Sequence, residues 1–126
     1  MTSVSLGENS KLTVIPAERD RVRKFYQEIL GCPATRESER IDIFRLGTTF
    51  FLGVVYSEHA STAAEARKAI WLDLRTDQPE ALKAKILQFG IQEIEFWDKE
   101  RFYFQAPGGQ VFRLVGTSED MSKWQQ

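Results

Sequence analysis

Two stretches of this chain read as one structural unit written twice. Lys11-Leu12-Thr13-Val14-Ile15 precedes a helical pattern that ends at Leu30-Gly31, and Trp71-Leu72-Asp73-Leu74-Arg75 precedes another that ends at Phe89-Gly90. Three short strand-like runs follow each. Such a repeat narrows the fold more than a single motif does, because both copies must bury the same kind of face.

The local patterns give each unit its elements. Lys11 to Ile15 alternates, with Leu12 and Val14 on one face and Lys11, Thr13 and Ile15 on the other, as in a half-buried strand. From Glu18, the residues Val22, Phe25, Tyr26, Ile29 and Leu30 form one stripe of an amphipathic helix. Gly31 suits its left-handed end and Pro33 blocks continuation. Strands are expected near 33–37, 40–46 and 48–56, with Gly47-Thr48-Thr49 as a turn. Residues 57–68 are polar and Ala-rich, and read as the connection. The second unit opens with a strand at 69–75, with Ile70, Leu72 and Leu74 facing one way and Trp71, Asp73 and Arg75 the other. Asp77 is the expected helix cap, with Glu80 completing a capping box and Pro79 tolerated in the first turn. Leu82, Ile86 and Phe89 form the expected buried stripe. Strands are expected near 91–97, 101–105 and 110–116, with Pro107-Gly108-Gly109 as a turn.

The fold class read from this pattern is α+β: two βαβββ modules, 11–56 and 69–116, forming a curved mixed sheet. They make a single domain over 11–116, with a flexible tail at 1–10 and a polar C-terminal tail at 117–126. Helices on one face of the sheet leave a concave, polar-lined face as the expected ligand cavity.

Composition excludes several classes. A formal net charge of -1 lacks the basic surplus of a nucleic-acid footprint. No run approaches the roughly 18 apolar residues of a membrane span, and the polar first ten residues do not read as a secretory signal. A single Cys32 cannot form an internal disulfide. The expectation is a soluble, cytoplasmic protein. Nine Phe, three Trp and three Tyr are many aromatics for 126 residues. Phe44, Phe50, Phe51 and Trp97 in particular point to a homodimer.

The segments Arg23-Lys24-Phe25-Tyr26-Gln27-Glu28-Ile29-Leu30-Gly31 and Tyr103-Phe104-Gln105-Ala106-Pro107-Gly108-Gly109-Gln110-Val111-Phe112-Arg113-Leu114 carry a resemblance to a known family. The first is similar to a helix ending Phe-Tyr-x-x-x-Leu-Gly, the second to a Phe-x-Asp-Pro-Asp-Gly-Asn-x-x-Glu-Leu ending. Together they resemble the vicinal oxygen chelate superfamily of glyoxalase I, bleomycin-resistance proteins and extradiol dioxygenases, over residues 11 to about 116. The resemblance implies the paired-module fold and a homodimer. In metal-dependent members it implies ligands, usually His and Glu, in the first and last strands of each repeat. Here those positions fall on Lys11, Phe51 (or Gly53 if the register is off by two), Trp71 and Arg113. None is a carboxylate or an imidazole, and Lys and Arg have no lone pair to offer a cation at neutral pH. The only other candidate, His59, lies in the connection and cannot make a site alone. No metal and no cofactor are expected.

What remains is a lining for a small organic molecule. Alternation puts Arg113, Trp71, Asp73, Arg101 and Tyr103 on the expected concave face, with Lys11 and Phe51 as further candidates. Arg with Trp suits an anionic or aromatic ligand, through bidentate hydrogen bonds and stacking. Asp73, Glu93 and Glu95 are candidates to balance these cations as cross-strand pairs. No catalytic residue is assigned, since a single His precludes a Ser/His/Asp set and nothing beside Cys32 would activate its thiolate. The leading reading is a metal-free small-molecule-binding protein. The alternatives are a metal-independent lyase or isomerase using Tyr103 or Asp73, a metal-dependent relative with non-standard ligands, and a sheet used only for interaction.

Overall fold

The computed structural model describes residues 2–125. The chain divides into two compact units, one running to Ser61 and the other starting at Thr62. Each carries its own mixed sheet, and in each the first strand of the repeat pairs in parallel with the last.

In the first unit the strand order is β1-β4-β3-β2, with β1 Asn9–Val14, β2 Ala34–Glu37, β3 Ile41–Leu46 and β4 Phe50–Tyr56. β1 begins two residues before the alternation does. Gly53 on β4 leaves little room for a side chain beside β1: a Cβ there would stand 3.1 Å from the Ser10 carbonyl oxygen. The expected continuous helix is built in three pieces. A 3₁₀ turn at Pro16–Glu18 leads into α1, Arg19–Lys24, and a widened π turn at Phe25–Ile29 ends it. The Leu30 N–H reaches back to the Phe25 carbonyl at 3.0 Å, and Gly31 then turns out at φ 72°, the left-handed value its position demanded. Val22, Phe25 and Tyr26 are buried, as the stripe required, and Tyr26 stacks on Phe44 at 5.0 Å.

In the second unit the order is β5-β7-β6, with β5 Trp71–Thr76, β6 Phe102–Gln105 and β7 Val111–Gly116. A short helix, α2 (Ala63–Arg67), precedes it. Thr62 and Glu65 form a reciprocal capping box there, at 3.2 and 2.8 Å. The longer helix, α3, runs Pro79–Phe89 and ends at Gly90 with φ 107°.

Three expectations about this unit are corrected. Asp77 does not cap α3. The residue before a proline is steered away from helical geometry, so Gln78 stays outside the helical region, at φ −132° and ψ 64°, and Pro79 is the first helical residue. The Thr76 hydroxyl, not an Asp77 carboxylate, accepts the Gln78 N–H, at 3.1 Å. Of the expected α3 stripe only Ile86 is fully buried. Residues 91–97 form no full strand. They contribute one bridge, Glu93 to Phe104, and one backbone bond from the Ile94 N–H to the Tyr103 carbonyl at 2.8 Å. The side chains still alternate, with Phe96 turned in to stack on Tyr103 and Asp98 turned in to bond it, but the backbone does not extend the ladder beyond that bridge.

Candidate functional site

Register builds the site. In the β5-β7-β6 sheet Asp73 lies opposite Arg113, and Arg113 lies opposite Tyr103. Residues opposite one another in a sheet point to the same face. The three side chains therefore form a row across three strands, with Trp71 two residues before Asp73 on the same face.

The Arg113 guanidinium is the centre of this row. Its Nε and Nη2 donate to the two oxygens of Asp73 at 2.5 and 2.8 Å, a bidentate fork. Arg113 is only 2% exposed, whereas the Asp73 carboxylate stays partly in water. Two indoles flank the guanidinium carbon: Trp71 at 4.4 Å and Trp124 at 4.3 Å from ring centre to Cζ. These are close cation–π contacts, worth most where water is excluded. The third nitrogen, Nη1, is buried and makes no hydrogen bond of ordinary geometry. The Asp73 carboxylate holds the Arg113 pKa above its usual value against the opposing cost of burial, with a smaller contribution from Tyr103.

Tyr103 joins the row to the loop that follows residue 96. Its ring meets Trp71 edge-on at 5.7 Å and stacks on Phe96 at 4.6 Å. Its hydroxyl donates to Asp98 at 3.1 Å. Burial raises the phenol's pKa, Asp98 adds to that and Arg113 opposes it. Arg101 completes the cluster from its flank. It is bonded to Glu119 at 3.0 and 3.2 Å, stands 3.9 Å from Asp98, and lies 5.8 Å from the Trp124 ring centre. An open groove of about 650 Å³ runs between the 97–101 loop and the C-terminal 3₁₀ turn at Ser122–Gln125, with Lys99, Glu100 and Lys123 among its lining residues.

Five of the residues expected to line a site are thus brought together: Trp71, Asp73, Arg101, Tyr103 and Arg113. Lys11 and Phe51 belong to the first unit. There the register sets Gly53, not Phe51, opposite Lys11, and Lys11 is exposed. Asp98, Glu119 and Trp124 complete the cluster without having been anticipated. A tryptophan in an otherwise polar tail was the signal for the last. Cys32 is partly buried, and that burial pushes its thiol pKa up, away from a reactive thiolate. His59 is exposed.

The first-and-last-strand positions do not fit a divalent cation. Arg113 spends its charge on Asp73, Trp71 offers a ring, and among the described residues no three His, Cys, Asp or Glu side chains are grouped to hold a metal ion.

A family model described as a glyoxalase-like domain matches residues 12–115. The chain belongs to that family. The glyoxalase-like domain, within the vicinal oxygen chelate superfamily, shares its fold with several solved structures. A possible glyoxalase from Bacillus cereus is 16% identical, with a TM-score of 0.69 over 89% of this chain and 99% of that one. A glyoxalase-related enzyme from Fulvimarina pelagi is 14% identical, with a TM-score of 0.70 over 90% and 88%. TnmS3, an antibiotic binding protein from Streptomyces sp. CB03234, is 18% identical, with a TM-score of 0.64 over 92% and 98%. No curated protein sequence matches the chain. No helix among the described residues is long and apolar enough to cross a membrane.

Proposed function

We propose that this glyoxalase-like domain binds a small organic molecule without a metal, and that the ligand is aromatic or anionic. One observation carries the reading: the Arg113 guanidinium, fixed at one edge by Asp73, presents a desolvated cation beside the Trp71 ring. That combination favours a planar partner. Because Asp73 already balances Arg113, stacking supports an aromatic ligand more than net charge supports an anion. A neighbour of the same fold named as an antibiotic binding protein is consistent with this use. The acid–base alternative gains less support, since burial holds the Tyr103 proton on the phenol and its hydroxyl is taken up by Asp98.

Native mass spectrometry of protein from the expression host tests the reading, the expected result being a co-purifying molecule that absorbs in the near ultraviolet. Arg113→Gln should weaken the recovered ligand by about 2–5 kcal/mol where its contact is desolvated. Unchanged affinity would overturn the assignment of Arg113 as the anchor.

We also infer a cytoplasmic homodimer. The exposed Trp97, at 72%, and Ile70, at 66%, support the dimer, whereas Phe44 is fully buried and gives it no support. Sedimentation as a monomer at tens of micromolar would reject it.

A further inference from the structure

Trp124 is the one large aromatic of a polar tail, and it rests on the most buried cation of the second unit. It also contacts Trp97, at 5.3 Å between ring centres. The Arg101 guanidinium lies over the same ring at 5.8 Å, and the Trp124 backbone N–H donates to the Met121 carbonyl at 3.0 Å. Ser122, Lys123 and Gln125 are exposed, and the anchoring bonds come from Glu119, which accepts the Gly116 N–H at 2.8 Å and pairs with Arg101.

The stack leaves a chemical defect. Arg113 Nη1 is buried without a hydrogen bond of ordinary geometry. A tryptophan ring cannot repair this, because its indole nitrogen only donates. A flat ring carrying an acceptor at its edge could both stack and accept. The open groove beside the turn is lined by Trp124, the ring that such a molecule would replace.

We propose that Trp124 occupies a ring-binding subsite, that the ligand of this subsite is a planar aromatic molecule with a hydrogen-bond acceptor on its edge, and that the ligand displaces the C-terminal turn. The inference rests on the small-molecule reading above and specifies its ligand. Trp124 acts as a tethered competitor. A tether supplies a high local concentration of its own ring, so a free ring must outbid it. The acceptor is what lets it do so.

The test uses the full chain, labelled so that the tryptophan indole N–H and arginine Nε–H signals are observed by NMR. The probes are indole-3-carboxamide, which carries an edge acceptor, and indole, which does not. The carboxamide should move the Trp71 and Arg113 signals while the Trp124 signal shifts toward that of an exposed indole. It should bind Trp124→Ala about tenfold more tightly, the size expected when one cation–π contact is removed from the competitor. Trp124→Phe, which keeps a smaller ring, should fall between. Indole should bind more weakly than the carboxamide in each protein. Equal carboxamide affinity for the parent and Trp124→Ala would overturn displacement while leaving the small-molecule reading intact. Equal affinity for the two probes would overturn the acceptor requirement. No response at Trp71 or Arg113 in any of the proteins would overturn both the subsite and the reading beneath it.

Discussion

Each unit contains one bidentate arginine–aspartate pair with a tyrosine beside it, and the two pairs are buried the opposite way round. In the first unit Asp42 is fully buried while Arg23 is partly exposed. Arg23 comes from α1 and donates Nε and Nη2 to Asp42 on β3 at 2.8 and 3.0 Å; the Tyr56 hydroxyl adds a bond at 2.7 Å and the Ser38 N–H one at 3.3 Å. Every oxygen of that carboxylate is used, and the pair ties helix to sheet. In the second unit the arginine is the buried partner, the aspartate reaches water, both belong to strands, and one guanidinium nitrogen is left over. A buried carboxylate with all its donors in place is a fastening. A buried guanidinium with a spare donor and two indoles beside it is the arrangement on which the proposed ligand reading rests. The two pairs differ in which partner is desolvated.

Removing the carboxylates separates the two cases most sharply. Asp42→Asn should cost about 3–5 kcal/mol in denaturant-induced unfolding, because it strips the charge partner from a fully buried network. Asp73→Asn should cost about 2 kcal/mol, since the hydrogen bonds lost are charge-assisted but one side is already wet. Equal costs would mean that the two pairs do not differ in the way their burial implies. The tyrosines extend the contrast at smaller scale. Tyr56→Phe should cost about 2 kcal/mol and Tyr103→Phe about 1, following the shorter bond to a buried carboxylate at Asp42 against the longer one at Asp98.

The smallest expected effect is in pH. The Gly116 N–H, then Arg101, hold the Glu119 carboxyl below its ordinary value of 4.5. A folded-state pKa that is lowered gives stability present above the ordinary value and lost as pH falls through the folded one. Acidification below about 4.5 should therefore loosen the C-terminal turn, read as increased acrylamide quenching of tryptophan. Loosening with alkali instead would contradict the role given to Glu119.

Much of this was legible in the chain itself, for identifiable reasons. The helix ends at Gly31 and Gly90 both take positive φ, because only a left-handed residue lets the backbone leave there. Two-residue alternation placed Trp71, Asp73, Tyr103 and Arg113 on one face, since strand geometry enforces it locally. Asp73 was legible as a balancing charge but not as the particular partner of Arg113. That pairing depends on the register of two parallel strands about forty residues apart, which topology sets and local sequence does not. The run 91–97 misled because its alternating apolar residues imitate a strand while Phe96 and Asp98 are recruited inward by Tyr103. Trp124 escaped because a short polar terminus carries no period, and only its contact with Arg113 gives it meaning.

The placement of the indoles has an optical consequence. Trp71, Trp97 and Trp124 all belong to the unit that starts at Thr62, and the other unit has none. Intrinsic emission excited selectively in tryptophan is therefore a one-sided reporter, blind to the half that holds Arg23 and Asp42. Far-ultraviolet circular dichroism sees both halves. Running the two probes through one guanidinium titration makes the chain report its own cooperativity: coincident curves mean the repeats melt as one, and separated curves assign each transition to its half without any added label.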